Sequence, residues 1–145
     1  MADDLEAAAR AADIISCATL ASTPLLQGAW IRRGTHIDLV GGFTATMREA
    51  DDDVVRRARV YVDTRAGALS EAGDIVDPMA RGILVAADIV GDLFDLCRGK
   101  VAGRAMLGEI TLFKSVGSAI EDLTAAILVW RSLPSGPGDN AAQSA

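Results

Sequence analysis

Several residue types that define large classes of proteins are scarce in this 145-residue sequence. Lysine and arginine number 14 against 20 aspartates and glutamates, a formal charge of −6, which argues against nucleic acid as a partner. One histidine cannot build a multi-histidine metal site, and we expect no bound metal. The two cysteines, Cys17 and Cys97, lie far apart in apolar surroundings, as is typical of reduced thiols rather than a disulfide framework.

Long hydrophobic runs are also missing. The longest uncharged stretch, from Ile14 to Ile31, contains Pro24, Gly28 and several hydroxyl residues, so it does not predict a membrane span. The first ten residues carry acidic side chains where a secretory signal carries basic ones. We therefore expect no membrane partner and a cytoplasmic location, in which cysteines stay reduced.

Aliphatic residues dominate what is present. Hydrophobic residues make up 50% of the chain and aromatic residues 4%, and the mean hydropathy of +0.27 is too high for a disordered protein. Segments rich in valine and isoleucine alternate with alanine-rich helical segments, which favours an α/β fold with a parallel sheet. A chain of this length is expected to form one domain.

The order of the predicted elements is typical of βα units. Hydrophobic alternation and turn residues predict strands at 13–18, 35–40, 60–62 and 110–113. Capping residues, charge order and hydrophobic spacing predict helices at 3–12, 51–57, 64–72, 88–97 and 115–131. Residues 133–145 are rich in proline, glycine and serine and predict a disordered tail.

The carboxyl ends of the predicted strands form the first candidate binding region. Ligands of open parallel sheets bind beyond these ends, which here carry residues 18–21 and 40–43. Gly41 and Gly42 allow either the close approach of a ligand or a tight turn, and both interpretations are open. Ser115 is predicted to cap the last helix, where free amides beside Lys114 form a candidate anion site.

Three other features are better explained by structure than by function. Residues 136–141 match a GxGxxA pattern, but they follow a helix rather than a strand, so they do not predict a phosphate loop. His36 and Cys17 lie in predicted strands, and packing is favoured over catalysis for both.

Four segments follow one another along the chain as a recognisable set. They are Ala12 to Thr19, Gly34 to Glu49, Val60 to Asp63, and Glu109 to Gly117 followed by Ile120-Glu121-Asp122. Together they resemble the ornithine cyclodeaminase/μ-crystallin family, from about Ala2 to Arg131. The resemblance implies an α/β fold with a partial Rossmann-type, doubly wound parallel sheet, its second half, followed by a C-terminal helical segment.

The same resemblance implies a domain organisation, a cofactor and a set of site residues. Residues 1–108 would form part of an NAD(P)-binding domain and 109–132 would return to a substrate domain, while the family's glycine fingerprint and N-terminal domain would lie outside this sequence. NAD(P)H would be the cofactor, with NADH and NADPH both open, and a fingerprint outside these residues implies weak cofactor binding by these residues alone. The expected cofactor contacts are Thr19, Leu20, Val40, Gly41, Ser115, Val116 and Gly117, and the expected substrate contacts are Lys114, Ser115 and Gly117. Asp38 is the nearest carboxylate for catalysis, although strand alternation favours a structural role for it.

Phe43 bears on the reaction. Family members that cyclise ornithine carry an acid directly after the Val-Gly-Gly turn, and here that position is Phe43. Loss of a positioned proton carrier lowers rates about 10²–10⁴-fold, so the resemblance favours the ketimine reductases, which reduce Δ1-pyrroline-2-carboxylate to proline.

Two alternatives stay open: ornithine cyclodeaminase activity, and a non-catalytic remnant or partner-binding subunit. Half a doubly wound sheet exposes an edge and apolar faces. We therefore expect a homo-oligomer or a partner that supplies the missing half, and little catalysis from these 145 residues alone.

Overall fold

The computed structural model of the chain describes residues 4–133, which form six α-helices and five β-strands. The helices are α1 (Leu5–Ala11), α2 (Asp52–Arg57), α3 (Arg65–Ser70), α4 (Gly73–Ala80), α5 (Leu93–Cys97) and α6 (Ala119–Ser132). The strands are β1 (Ile14–Cys17), β2 (His36–Leu39), β3 (Ala58–Val62), β4 (Ile89–Asp92) and β5 (Ile110–Lys114). Short 3₁₀ helices occupy Gly28–Trp30 and Ala86–Asp88.

All five strands form one parallel sheet in the order β1-β2-β5-β3-β4. The last strand in sequence, β5, lies between β2 and β3, so the order of the strands in space differs from their order along the chain. Parallel neighbours require crossover connections, which run through α2 from β2 to β3 and through α3 and α4 from β3 to β4. The predicted α/β class, a partial Rossmann-type parallel sheet followed by a C-terminal helix, is confirmed.

The core covers one face of the sheet. Alternate residues of a strand share a face, and register partners in parallel strands lie side by side. The side chains that meet on this face and are at most 1% exposed are Ile37, Leu39, Val60, Val62 and Leu112. They form one cluster with buried residues of the helices, namely Val54, Val55, Ala68 and Ile75.

Side-chain caps fix where helices α2 and α3 begin. The Asp51 carboxylate accepts hydrogen bonds from the Val54 amide at 2.9 Å and the Gly28 amide at 3.0 Å, so it starts α2 and ties it to the first 3₁₀ helix. The Thr64 hydroxyl accepts from the Gly67 amide at 3.2 Å and starts α3 directly after β3.

The helix predicted at 88–97 is wrong in its first half, and α4 was not predicted. The segment Ile89–Asp92 is strand β4, because β-branched residues followed by Gly91 are poor helix formers and β3 offers a pairing partner. Glycine is needed at position 91, where a Cβ would stand 2.7 Å from Val101 Cγ2. In α4, Gly73 and Pro78 both lower helix propensity and conceal the helix from a sequence pattern.

Two further findings concern the limits of the description. None of the helices within residues 4–133 has the length and apolar character required to cross a bilayer. The predicted tail, apart from Leu133, and the GxGxxA pattern at 136–141 lie outside the described residues.

Candidate functional site

The carboxyl ends of four neighbouring strands meet at one edge of the sheet. The last residues of these strands stand in one row of register partners: Cys17, Leu39, Lys114 and Val62. The four segments that follow them, 18–21, 40–43, 115–117 and 63–64, therefore emerge side by side, and we call them the carboxyl edge. The fold thus brings the cofactor contacts expected from the sequence, Thr19, Leu20, Val40, Gly41 and Ser115 to Gly117, onto neighbouring segments of one edge.

Large apolar side chains stand exposed on two adjacent segments of this edge. Leu20 is 74% exposed, Val40 45% and Phe43 44%. Exposed apolar side chains on adjacent segments can form a contact surface for a ligand. An apolar group of a ligand, such as a flat ring, could therefore pack here without desolvating a charge.

The two glycines of the edge are explained by the turn itself. A Cβ at Gly41 would overlap the Thr19 carbonyl oxygen and the Glu49 carboxylate. Gly42 has a φ of +57°, and a Cβ there would lie 2.6 Å from Asp74 Oδ2. Of the two interpretations open from the sequence, the structure supports the tight turn.

The Asp63 carboxylate fills the place that the sequence assigned to an external anion. Its Oδ2 accepts from the amides of Val116 and Gly117, both at 2.9 Å, and from the Ser115 hydroxyl at 3.2 Å. Its Oδ1 accepts from the Thr64 amide at 2.6 Å, and the residue is only 2% exposed. The amides of Val116 and Gly117 are therefore occupied from within the chain.

The prediction that Ser115 caps the last helix is wrong. Helix α6 begins at Ala119 with Ser118 as N-cap residue, whose amide donates to Glu121 Oε2 at 3.2 Å. Gly117 has a φ of +82°, which the helical region does not include, and so it separates Ser115 from the helix.

Lys114 lies beneath the carboxyl edge, on the core face of β5. None of its surface is exposed, and its Nζ donates to the Leu39 carbonyl at 3.2 Å and to the Gly41 carbonyl. Burial lowers the pKa of Lys114, while the nearby carboxylates of Asp74 and Glu49 oppose that shift. The expected contact of Lys114 with a substrate is therefore corrected: its ammonium group is enclosed by protein.

Two buried carboxylates accompany Lys114. Asp74, in the first turn of α4, has its Oδ2 3.9 Å from Lys114 Nζ, and its Oδ1 accepts from the amides of Glu49 and Ala50 at 2.9 and 3.1 Å. Burial raises the pKa of Asp74, and these two amides oppose the rise. Glu49 Oε1 accepts from the amide and hydroxyl of Thr19 at 2.6 and 2.9 Å.

Asp38, His36 and Cys17 occupy structural places. Asp38 lies on the face of β2 opposite Leu39 and accepts from the Ser16 hydroxyl at 2.9 Å, below the edge rather than on it. His36 Nδ1 is 2.8 Å from Thr111 Oγ1. Burial, followed by the negative charge of Glu49, raises the pKa of Cys17 to about 11, so its thiol is a poor nucleophile.

The residues that sequence reasoning missed are Asp63, Asp74 and Glu49. Asp63 directly follows a predicted strand, and that position was the available signal. Asp74 and Glu49 offered no comparable signal, because neither lies in an element that the pattern predicted. Among residues 4–133, no three His, Cys, Asp or Glu side chains cluster as metal ligands would.

A parallel α/β sheet with a tight glycine turn at its carboxyl edge belongs to the class of folds that bind nucleotides there. The model of the ornithine cyclodeaminase/mu-crystallin family matches residues 1–136, and this chain belongs to that family. The resemblance found in four sequence segments is thereby confirmed.

Three relatives show how far the similarity extends. A Δ1-pyrroline-2-carboxylate reductase of Paracoccus denitrificans is 46% identical over 128 residues, which cover 88% of this chain and 40% of the reductase. The ketimine reductase mu-crystallin of Mus musculus is 41% identical over 132 residues, covering 91% and 39%. The structure of Thermococcus litoralis Δ1-pyrroline-2-carboxylate reductase with NADH and L-proline superimposes with a TM-score of 0.85 at 41% identity, covering 90% and 40%. The chain thus spans about 40% of the length of the curated relatives it matches.

Proposed function

We propose that this chain is the nicotinamide-binding part of an NAD(P)H-dependent reductase that converts Δ1-pyrroline-2-carboxylate, a cyclic ketimine, to L-proline. The observation that carries the proposal is the carboxyl edge, which gathers the expected cofactor contacts and exposes apolar side chains beside them. The similarity to a structure that contains NADH and L-proline supports it. Because the chain spans about 40% of that protein, the substrate contacts of the proposed enzyme would come largely from other segments.

The residues of the edge suit a nicotinamide ring. Leu20 and Val40 offer exposed apolar side chains to a flat ring, and Gly117 is exposed with no heavy atom within 4 Å of where its Cβ would be. Bound NAD(P)H would supply a hydride to the carbon of a C=N bond. The chain's own part would be to hold the ring against the sheet and to exclude water from that side.

Phe43 supports reduction over deamination. It stands at the turn with 44% of its surface exposed and has no proton to give or accept. A protonated cyclic imine is already electrophilic, so hydride delivery needs less acid–base help than removal of ammonia from ornithine.

NADH binding to the 145-residue chain tests the first part of the proposal. We expect NADH fluorescence to report weak but saturable binding, because the glycine fingerprint that binds the pyrophosphate is expected outside these residues. Val40→Asp should weaken this binding about tenfold because it places a carboxylate at the ring. Val85→Asp is the matched control, since Val85 is 53% exposed and lies in the segment before β4. Binding that is absent, or equally affected by both variants, would refute the proposed site.

The reaction needs the rest of an enzyme. A chimera in which this chain replaces the matching segment of the bacterial reductase should oxidise NADH with Δ1-pyrroline-2-carboxylate and release no ammonia from ornithine. Ammonia release would favour the cyclodeaminase alternative, and a folded but inactive chimera would favour a non-catalytic partner-binding role. A small cyclic imino acid as substrate, a homo-oligomeric state or a missing-half partner, and the cytoplasmic location stay predictions.

A further inference from the structure

Four charged side chains lie almost without exposure beneath the carboxyl edge. Arg48 is 7% exposed, and Glu49, Asp74 and Lys114 are 0% exposed. Buried charges cost free energy unless they are paired and hydrogen-bonded. Three atoms of this group, Arg48 Nε, Glu49 Oε2 and Asp74 Oδ2, have no hydrogen-bond partner among the described residues.

These four charged side chains form hydrogen bonds with backbone groups as well as contacts with each other. Lys114 Nζ donates to the carbonyls of Leu39 and Gly41, at the end of β2 and in the turn after it. Glu49 Oε1 accepts hydrogen bonds from the amide and the hydroxyl of Thr19, which follows β1. Charged groups from β5 and from the segment before α2 therefore hold two neighbouring segments of the edge.

Asp74 joins these two contacts. Asp74 Oδ1 accepts a hydrogen bond from the Glu49 amide at 2.9 Å, and Asp74 Oδ2 lies 3.9 Å from Lys114 Nζ. The Gly73 amide beside it donates to the Gly42 carbonyl at 3.2 Å. The turn at Gly41 and Gly42 is thus held from β5 on one side and from the start of α4 on the other.

Stability does not account for this arrangement. A buried ion pair can commonly be replaced by apolar residues of similar size at no loss of stability. What apolar residues cannot do is direct three hydrogen bonds to chosen carbonyl and amide groups of adjacent segments. The charges therefore specify the position of the backbone.

We propose that Lys114, Asp74 and Glu49 are positioning residues that set the Gly41–Gly42 turn and the Thr19 segment at the separation a nucleotide requires. This inference rests on the proposed function. None of the three touches the nucleotide; each acts through the backbone that it holds.

The test uses the 145-residue chain and a charge-balanced variant. Lys114→Met combined with Asp74→Asn removes both charges but keeps an acceptor at position 74, so the fold has no unpaired ammonium or carboxylate at this pair. Lys100→Met is the control, because Lys100 is the chain's other lysine and pairs with Asp95 at the surface, 3.6 Å away. The readouts are amide hydrogen exchange and NADH affinity.

In the double variant we expect exchange of the Val40 and Gly73 amides to accelerate about tenfold, while the Val60 amide in the sheet changes less than about twofold. NADH affinity should fall about tenfold while circular dichroism shows that the chain stays folded, and the Leu39 and Gly41 carbonyls, which lose their donor, should lower the melting temperature. Lys100→Met should alter neither. Unchanged exchange at Val40 and Gly73 would overturn the inference, and so would faster exchange with full NADH affinity.

A second variant guards against a double variant that does not fold. Glu49→Gln keeps the size and one acceptor, and it should accelerate exchange of the Thr19 amide while leaving Val60 unchanged; an unchanged Thr19 amide would contradict the inference. If the unaltered chain does not bind NADH, the proposed function fails. The exchange rates then still decide whether these residues hold the edge.

Discussion

At the residue scale, two aspartates that accept hydrogen bonds from backbone amides differ in their burial and in the number of bonds they accept. Asp63 is 2% exposed and accepts four hydrogen bonds, from Thr64, Ser115, Val116 and Gly117. Asp88 is exposed and accepts one hydrogen bond, from the Val85 amide at 2.8 Å. A buried donor that loses its acceptor bears the full cost of desolvation, whereas an exposed donor turns to water.

We therefore expect Asp63→Ala to lower the free energy of unfolding by about 3 kcal/mol and Asp88→Ala by about 1 kcal/mol or less. Urea unfolding followed by circular dichroism measures both. Asp63→Asn should be intermediate, because an amide keeps one acceptor. Equal costs at positions 63 and 88 would show that Asp63 does not hold the loop before α6.

The hydrogen-bond partners of the buried charged residues could not be predicted from the sequence. Val116 and Gly117 donate to a carboxylate more than fifty residues earlier, and Lys114 donates to a carbonyl 73 residues away. Spacing patterns act within a helix or a strand, so they carried no information about these partners. The resemblance predicted Lys114 as a substrate contact, but only the register of β5 against β2 shows that its side chain lies on the core face.

At the scale of single elements, the Gly41–Gly42 turn combines a backbone requirement with a packing requirement. Gly42 and Gly82 both have left-handed backbone, with φ of +57° and +69°. A Cβ at Gly82 would meet nothing within 4 Å, whereas at Gly42 it would stand 2.6 Å from Asp74 Oδ2 and 3.5 Å from Lys114 Nζ.

Gly82→Ala should therefore show the backbone cost alone, about 1–2 kcal/mol, and Gly42→Ala about 3 kcal/mol or more. Thermal and urea unfolding of the two variants make the comparison. Similar losses at both positions would mean that the turn can move away from Asp74.

Helices α2 and α4 are joined by an ion-pair network that predicts acid sensitivity. Arg81 donates to Asp52 Oδ2 at 2.6 Å and to Asp77 Oδ2 at 2.7 Å, and Arg48 contacts both aspartates from the buried side. The hydrogen bond from Arg81, assisted by the one from Arg48, lowers the pKa of Asp52 from 3.8 to about 2. The same arginines lower the pKa of Asp77.

A carboxyl whose pKa is lower in the folded than in the unfolded state stabilises the fold above its unfolded pKa and loses that contribution as the pH falls toward its folded pKa. Asp52→Asn should therefore be less stable than the unaltered chain at pH 7, and the difference should shrink between pH 3.8 and about 2. Urea unfolding across this range tests it. Asp13→Asn is the control, because Asp13 is 94% exposed beside Arg32, and such pairs contribute little at any pH.

Prediction succeeded for elements with a clear period and failed where residues of low propensity were held by packing. Four strands were found because they are short runs rich in apolar and β-branched residues, and α2 was found through its acid-to-base charge order. β4 contains Gly91, and α4 contains Gly73 and Pro78. Their conformations depend on β3 and on the turn at Gly42, which lie elsewhere in the sequence.

At the scale of the whole molecule, burial is uneven. Helices pack over the core face of the sheet, whereas α6 contributes no buried residue. The apolar side chains that α6 leaves exposed include Ile120, Leu123, Leu128, Val129 and Trp130. The hydrophobic spacing of Ile120, Leu123, Ala126, Ile127 and Trp130 predicts one apolar face on this helix. Such spacing shows that a face exists, not what covers it.

This difference in burial predicts that the same substitution lowers the free energy of unfolding much more at one leucine than at another. Leu112 in β5 is 0% exposed, so Leu112→Ala should lower the free energy of unfolding by about 2–5 kcal/mol through lost burial and the cavity left behind. Leu128 in α6 is 63% exposed, so Leu128→Ala should cost about 0.5 kcal/mol or less. Urea unfolding at two protein concentrations makes the test. A large cost at Leu128 that grows with concentration would show that α6 is covered by a second copy in solution, because only an intermolecular contact makes stability depend on concentration.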